Sequence, residues 1–115
     1  MLKLKRIYDP YSAADGCRIL VDRLWPQGVK KELAKIDYWP KEVAPSPELR
    51  VWFNHDPQKW DAFCKAYLKE LEHSPALDEL VETIKNEPKT TLLYAAKDKK
   101  HTHALVLFDL INKRI

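Results

Sequence analysis

The chain has 115 residues, 20 of them basic and 17 acidic, for a formal net charge of +3. That length supports one domain with one core and is too short for two, and a hydrophobic fraction of 45% beside a charged fraction of 32% excludes a disordered chain. No apolar run approaches the roughly 20 residues of a membrane helix, residues 1–8 lack the apolar stretch and cleavage site of a signal peptide, and the two distant cysteines, Cys17 and Cys64, read as free thiols of the cytoplasm.

Leu2 to Tyr8 begins as an alternating segment and predicts an edge strand with Lys3 and Lys5 outward. Asp9-Pro10 ends it. Ser12 to Gly16 predicts one helical turn, with Ser12 as N-cap and Gly16 at the close. Arg18 to Arg23 carries Ile19-Leu20-Val21, the continuous apolar run of a buried central strand, and Trp25-Pro26-Gln27-Gly28 turns the chain out of it. Lys30 to Tyr38 predicts a weak helix that stops before Pro40.

Ser46-Pro47, Asp56-Pro57 and Ser74-Pro75 share one device, a capping oxygen followed by proline at the first helical position. The first opens a short helix, Glu48 to about Phe53. The second opens a helix whose Trp60, Phe63, Cys64, Tyr67, Leu68 and Leu71 fall on one apolar face, and the third a helix with Leu77, Leu80, Val81 and Ile84 on one face. Thr90 to Ala96 predicts a second buried strand around Leu92 and Leu93, and Ala104 to Asn112 a helix packed back on the sheet. The long helical crossover between the last two strands predicts parallel pairing. The expected architecture is a small three-layer α/β fold, a few-stranded and mainly parallel sheet flanked by helices, as one domain over residues 1–115.

Open parallel sheets bind ligands beyond the carboxyl ends of their strands. Two predicted strands end in polar clusters there: Asp22, Arg23 and Trp25 after one, Lys97, Asp98, His101 and His103 after the other. If the strands are neighbours, both clusters meet at one edge. Arg23 and Lys97 then hold negative charge, Trp25 supplies an apolar wall, Asp22 and His101 complete the ligand contacts, and Asp98 and His103 orient or exchange protons as the candidate catalytic pair. Each has a structural alternative: an Asp22–Arg23 ion pair, Trp25 as a lid on the core, an ordinary charged loop at Lys97–Lys100, and Asp98 as a cap of the last helix.

His101 and His103 alone make too few ligands for zinc, which takes three or four; Asp98, His55 and Asp56 could join them only through the fold, and no metal is assigned. With glycine only at 16 and 28 there is no phosphate-binding glycine loop. Neither a Gly-x-Ser-x-Gly elbow nor a Cys-x-x-Cys pair occurs, and the sequence leaves the cofactor, like the ligand, unassigned. Basic and acidic residues are mixed along the chain, which speaks against a specific nucleic-acid stripe.

Four segments carry a family resemblance: Arg18 to Pro26, Val43 to Arg50, Trp52 to Pro57, and Leu92 to Ala104 with its Lys97-Asp98-x-x-His101-x-His103 stretch. Together they resemble the YeaO-like branch of the domain-of-unknown-function 488 proteins, over essentially the whole chain. The resemblance implies a compact α/β domain of bacteria or archaea and implies no particular activity. Two departures from the pattern matter. Gln27 stands where the family often has an arginine, which removes an anion contact. Tyr94 and Thr102 stand where distant members carry cysteines, so no thiolate metal site or cysteine nucleophile is expected.

The leading expectation is a domain that binds, or acts on, a small anionic ligand. A non-catalytic nucleic-acid or protein interaction module is the alternative, favoured by a basic patch with exposed tryptophan, and a metal-dependent enzyme is the third. A concave pocket holding Arg23, Lys97 and His103 favours the first. Oligomeric state is left open by the sequence.

Overall fold

The computed structural model describes residues 1–115 and builds its sheet from β1 (Leu2–Arg6), β2 (Cys17–Leu20) and β3 (Thr90–Tyr94). The order is β1-β3-β2 and both pairings are parallel. Register puts Leu4, Leu92 and Ile19 side by side across the sheet, with Lys5, Leu93 and Leu20 in the next row. Since successive side chains alternate between faces, the first row points to one side and the second to the other.

The larger core lies on the first side. Ile19, Val21, Leu92 and Tyr94 pack there with Phe63, Tyr67 and Leu71 of α3 (Trp60–Leu71). Leu77, Leu80, Val81 and Ile84 of α4 (Pro75–Lys85) and Ala104, Leu107 and Ile111 of α5 (His103–Asn112) join the same cluster. On the second side Ile7, Leu20, Ala34 and Leu93 form a smaller cluster, covered by α1 (Lys31–Ala34) and by Trp25, Val29, Ile36 and Trp39. The chain is thus a parallel sheet between two unequal layers, as expected.

Two expected elements are corrected. The strand after Gly16 is an edge strand, not a central one, because β3 inserts between it and β1. It is nonetheless completely buried. Its outer edge is closed by the backbone of residues 37–38: Asp37 N and Tyr38 N donate to Arg18 O at 2.8 and 3.3 Å, and Leu20 N donates to Tyr38 O at 3.0 Å. The same pairing explains the second correction. The helix expected over Lys30 to Tyr38 is one turn, ended by Lys35 at φ 50°, since the residues after it extend to bridge β2.

The three Ser/Asp-Pro signals act as read. Ser46 caps α2 (Pro47–Phe53) by accepting from Leu49 N, Asp56 accepts from Gln58 N to open a 3-10 turn leading into α3, and Ser74 accepts from Leu77 N. On α3, Phe63, Tyr67 and Leu71 are buried, whereas Trp60 and Cys64 are half-buried and Leu68, expected on the apolar face, is exposed. The Ser12 turn is a reciprocal capping box with Asp15. It ends at Gly16 (φ +68°), where a Cβ would lie 2.5 Å from Lys89 O, so only glycine fits.

Beneath that turn is a buried ion cluster. Asp15 pairs with Lys5 at 3.0 Å and with the buried Arg18 guanidinium, which also donates to Ala34 O at 3.1 Å. It ties β1, the turn, β2 and α1 together.

Candidate functional site

Parallel strands present all their carboxyl ends at one edge of the sheet, and a cleft of about 660 Å³ opens there. Asp22, Arg23 and Trp25, beyond β2, line one part of it; Lys97, Asp98, His101 and His103, beyond β3, line another. The central position of β3 brings two clusters some seventy residues apart into one space.

Asp22 and Arg23 do not pair with each other, contrary to the structural alternative. The Asp22 carboxylate accepts from Ala95 N at 3.0 Å through Oδ2, which fastens the end of β2 to the end of β3. Its other oxygen, Oδ1, is sealed from solvent without a hydrogen-bond partner, and His103 Nε2 stands 3.4 Å away. That nitrogen also lies 3.0 Å from Val21 O. Burial raises the Asp22 carboxyl above the usual range, against the lowering effects of His103 and the Ala95 amide. Burial likewise lowers His103 below its ordinary value, against the attraction of Asp22. Both shifts favour a neutral imidazole.

Arg23 turns the other way. Its Nε and Nη2 donate to Pro45 O and Ala44 O, both at 3.2 Å, and Nη1 makes no bond within the protein. The guanidinium is therefore oriented by two carbonyls with one corner left over. Trp25 Nε1 donates to Val29 O at 2.7 Å and its ring meets Trp39 edge-on at 5.4 Å, so a half-buried indole is rigidly held at the cleft wall.

Asp98 organises its own loop instead of capping α5. Oδ1 accepts from Lys100 N at 2.9 Å and His101 N at 3.1 Å, and Oδ2 lies 2.7 Å from His101 Nδ1. The bond to His101 and these amides hold its carboxyl below the usual range. His101 in turn meets the edge of Trp60 at 5.5 Å. The cap of α5 is Thr102, which accepts from Ala104 N. Lys97 is exposed and has no ion-pair or hydrogen-bond partner in the protein.

Two further residues line the cleft: Arg50, which sequence reasoning did not place there, and His55, named only as a ligand that the fold could bring to His101 and His103. Arg50 projects from α2 without a carboxylate partner, and His55 follows α2 in a turn where Asn54 and His55 both have positive φ, 45° and 56°. His55 lies close enough to act electrostatically on Asp22 and His103. Asn and His are among the residues that tolerate this conformation, and the Asn54-His55 pair before a capping Asp-Pro was the available signal. Leu24, Phe53 and Phe63 add apolar surface, and Gln27 lines the same cleft.

No three histidine, cysteine, aspartate or glutamate side chains gather so as to hold a metal ion. The thiols are set apart: Cys17 is buried with its pKa pushed up to about 11 by that burial, and Cys64 is half-buried with its pKa also raised. Tyr94 and Thr102 are buried. No helix is long and apolar enough to cross a membrane.

Comparison with known proteins gives whole-length relatives. The protein YeaO of Escherichia coli (strain K12) is 46% identical over 109 residues, covering 94% of each chain. Rv3073c of Mycobacterium tuberculosis (strain ATCC 25618 / H37Rv) and Mb3100c of Mycobacterium bovis (strain ATCC BAA-935 / AF2122/97) are each 39% identical over 113 residues, covering 98% of this chain and 95% of theirs. No solved structure matches. A family model described as the inactive DUF488-N3 subclade matches residues 1–115. The resemblance carried by the four sequence segments thus extends end to end, and the chain belongs to this YeaO-like family of domain-of-unknown-function 488 proteins.

Proposed function

We propose that the domain binds a small anion bearing an apolar part, seated in the cleft at the carboxyl edge of the sheet. The observation that carries this reading is the cleft's unbalanced set of cations. Arg23, Arg50 and Lys97 line it without a carboxylate partner. The two acids on its wall are otherwise engaged, Asp22 on Ala95 N and Asp98 on its loop and His101. Cations without carboxylate partners gathered on one cleft, Arg23 half-buried and Arg50 and Lys97 exposed at its rim, make a positive potential suited to carboxylate or phosphate. Arginine offers a planar fork and lysine a movable point charge. The capped start of α5 at the same edge adds the positive end of a helix dipole. Trp25, Leu24 and Phe53 give the ligand's apolar part a wall.

Binding without turnover fits the family's description as an inactive subclade. In this reading Asp98 is a positioning residue that holds His101, and His103 is a contact group in place of a proton shuttle. Calorimetric titration with propyl phosphate at low salt tests it. Saturable one-to-one binding is expected, weakened about tenfold or more in an Arg50→Ala/Lys97→Ala variant, the scale of a lost charge-assisted hydrogen bond. Undiminished binding in that variant, or none in the parent chain, overturns the assignment. Tight oligonucleotide binding at physiological salt would instead support an interaction module.

A further inference from the structure

His103 stands out among the cleft residues because it faces a set of donors with an acceptor. It is the first residue of α5, fixed by the Thr102 cap, and its ring is braced edge-on by Tyr67 at 6.0 Å. Nε2 points inward, 3.0 Å from Val21 O, and a carbonyl can only accept, so Nε2 carries the hydrogen. The sealed Asp22 Oδ1 lies 3.4 Å from the same nitrogen and has no other partner, so it favours the same tautomer. Nδ1 is therefore the lone-pair nitrogen of the neutral ring. It has no hydrogen-bond partner within the protein, it is not among the sealed unpartnered atoms, and His103 lines the cleft. The titratable groups facing the ring are Asp22 beyond β2, His55 beyond α2 and Tyr67 of α3. Burial keeps the imidazole neutral among them.

A lone pair cannot receive an anion. It can receive an O–H or N–H. We propose that the cleft's ligand is a hydroxylated or amino-bearing anion, its negative group on Arg23, Arg50 and Lys97 and its O–H or N–H donating to His103 Nδ1. This inference rests on the anion-binding reading and adds a second point of recognition to it. Simple anions without a donor leave Nδ1 to water, while a donor placed beside it replaces that water with a direct bond. Asp22 acts through His103 as a positioning residue that fixes the tautomer.

A matched pair of phosphates separates the two readings. Propyl phosphate has the anion and the carbon chain; glycerol phosphate adds hydroxyls along it. The wild-type chain is expected to bind glycerol phosphate about fivefold more tightly, the scale of one net hydrogen bond, and His103→Phe should bring the two to the same affinity. Equal binding of both by the wild-type chain overturns this inference while leaving the anion reading in place. Failure of both to bind overturns both readings. If His103→Phe does not fold, long-range 15N–1H spectra of the wild-type imidazole decide. A pyridine-like Nδ1 whose resonance moves upfield with glycerol phosphate but not propyl phosphate is expected. A protonated Nδ1, or one indifferent to glycerol phosphate, overturns the assignment.

Discussion

Phe63 joins the core to the cleft, and its truncation gives the sharpest stability prediction. The side chain is 2% exposed, stacks on Phe53 at 4.3 Å, and lies 5.6 and 5.8 Å from the rings of Trp60 and Tyr67. Removing its ring withdraws roughly 150 Å² of buried apolar surface, about 4 kcal/mol at ~25 cal/mol/Å². Compaction of the unfolded chain lowers that figure; lost ring–ring contacts and an unfilled cavity raise it. Phe63→Ala should therefore cost about 3–5 kcal/mol. Urea unfolding followed by tryptophan fluorescence measures the loss as a lower midpoint at constant m. A cost below about 1 kcal/mol with m unchanged would refute the packing of α3 against this aromatic cluster.

The buried ion cluster makes two predictions. Asp15→Asn leaves Arg18 buried without its carboxylate, a loss of about 3–5 kcal/mol measurable in the same unfolding assay. Burial alone would raise the Asp15 carboxyl, but hydrogen bonds from Lys5, the Ser12 amide and Arg18 outweigh it and hold the group below its usual range. The native state thus gains stability above the unfolded pKa of about 3.9 and loses it as pH falls through the lower folded value; an acid titration of stability should show this limb in the wild-type chain and not in Asp15→Asn. His103, lowered by burial, adds an earlier loss that begins as pH drops through about 6.5, and His103→Phe should remove it from the same curve. Tyr67→Phe orphans the buried Val43 carbonyl that the phenol serves, with an expected cost of about 1–3 kcal/mol by denaturant titration. Gly16→Ala combines a positive φ with a Cβ 2.5 Å from Lys89 O and should lower stability by at least about 2 kcal/mol.

Much of this fold is legible where one local signal has one physical meaning. A Ser or Asp oxygen before proline caps locally, without tertiary help, so the starts at Ser46, Asp56 and Ser74 read correctly. Burial on both faces makes Ile19-Leu20-Val21 apolar, but that run reports burial and not rank in the sheet, and the backbone of Tyr38 hides an edge strand as effectively as a neighbouring strand would. The helix expected over Lys30 to Tyr38 fails for the same tertiary reason. At the cleft, Asp22, Arg23, Trp25 and the Lys97 to His103 stretch are legible because strand ends turn polar. Arg50 is not, because nothing local says that α2 ends beside β2 and β3, and His55 is marked only by the turn-prone Asn54-His55 pair. The partners of Asp22 and Arg23 are equally invisible: adjacent opposite charges predict an ion pair, while the fold gives one an amide and a histidine and the other two carbonyls.

The central claim is that the cleft's unpartnered cations hold an anion. The most direct measurement is a 1H–15N spectrum of the full chain titrated with inorganic phosphate at low ionic strength. Saturable shifts confined to the backbone around Arg23, Arg50 and residues 97–103, reversed by added salt and absent from Arg50→Ala/Lys97→Ala, are the predicted result. Phosphate shifts scattered over the surface lysines, or shifts that persist in the double variant, would contradict the claim.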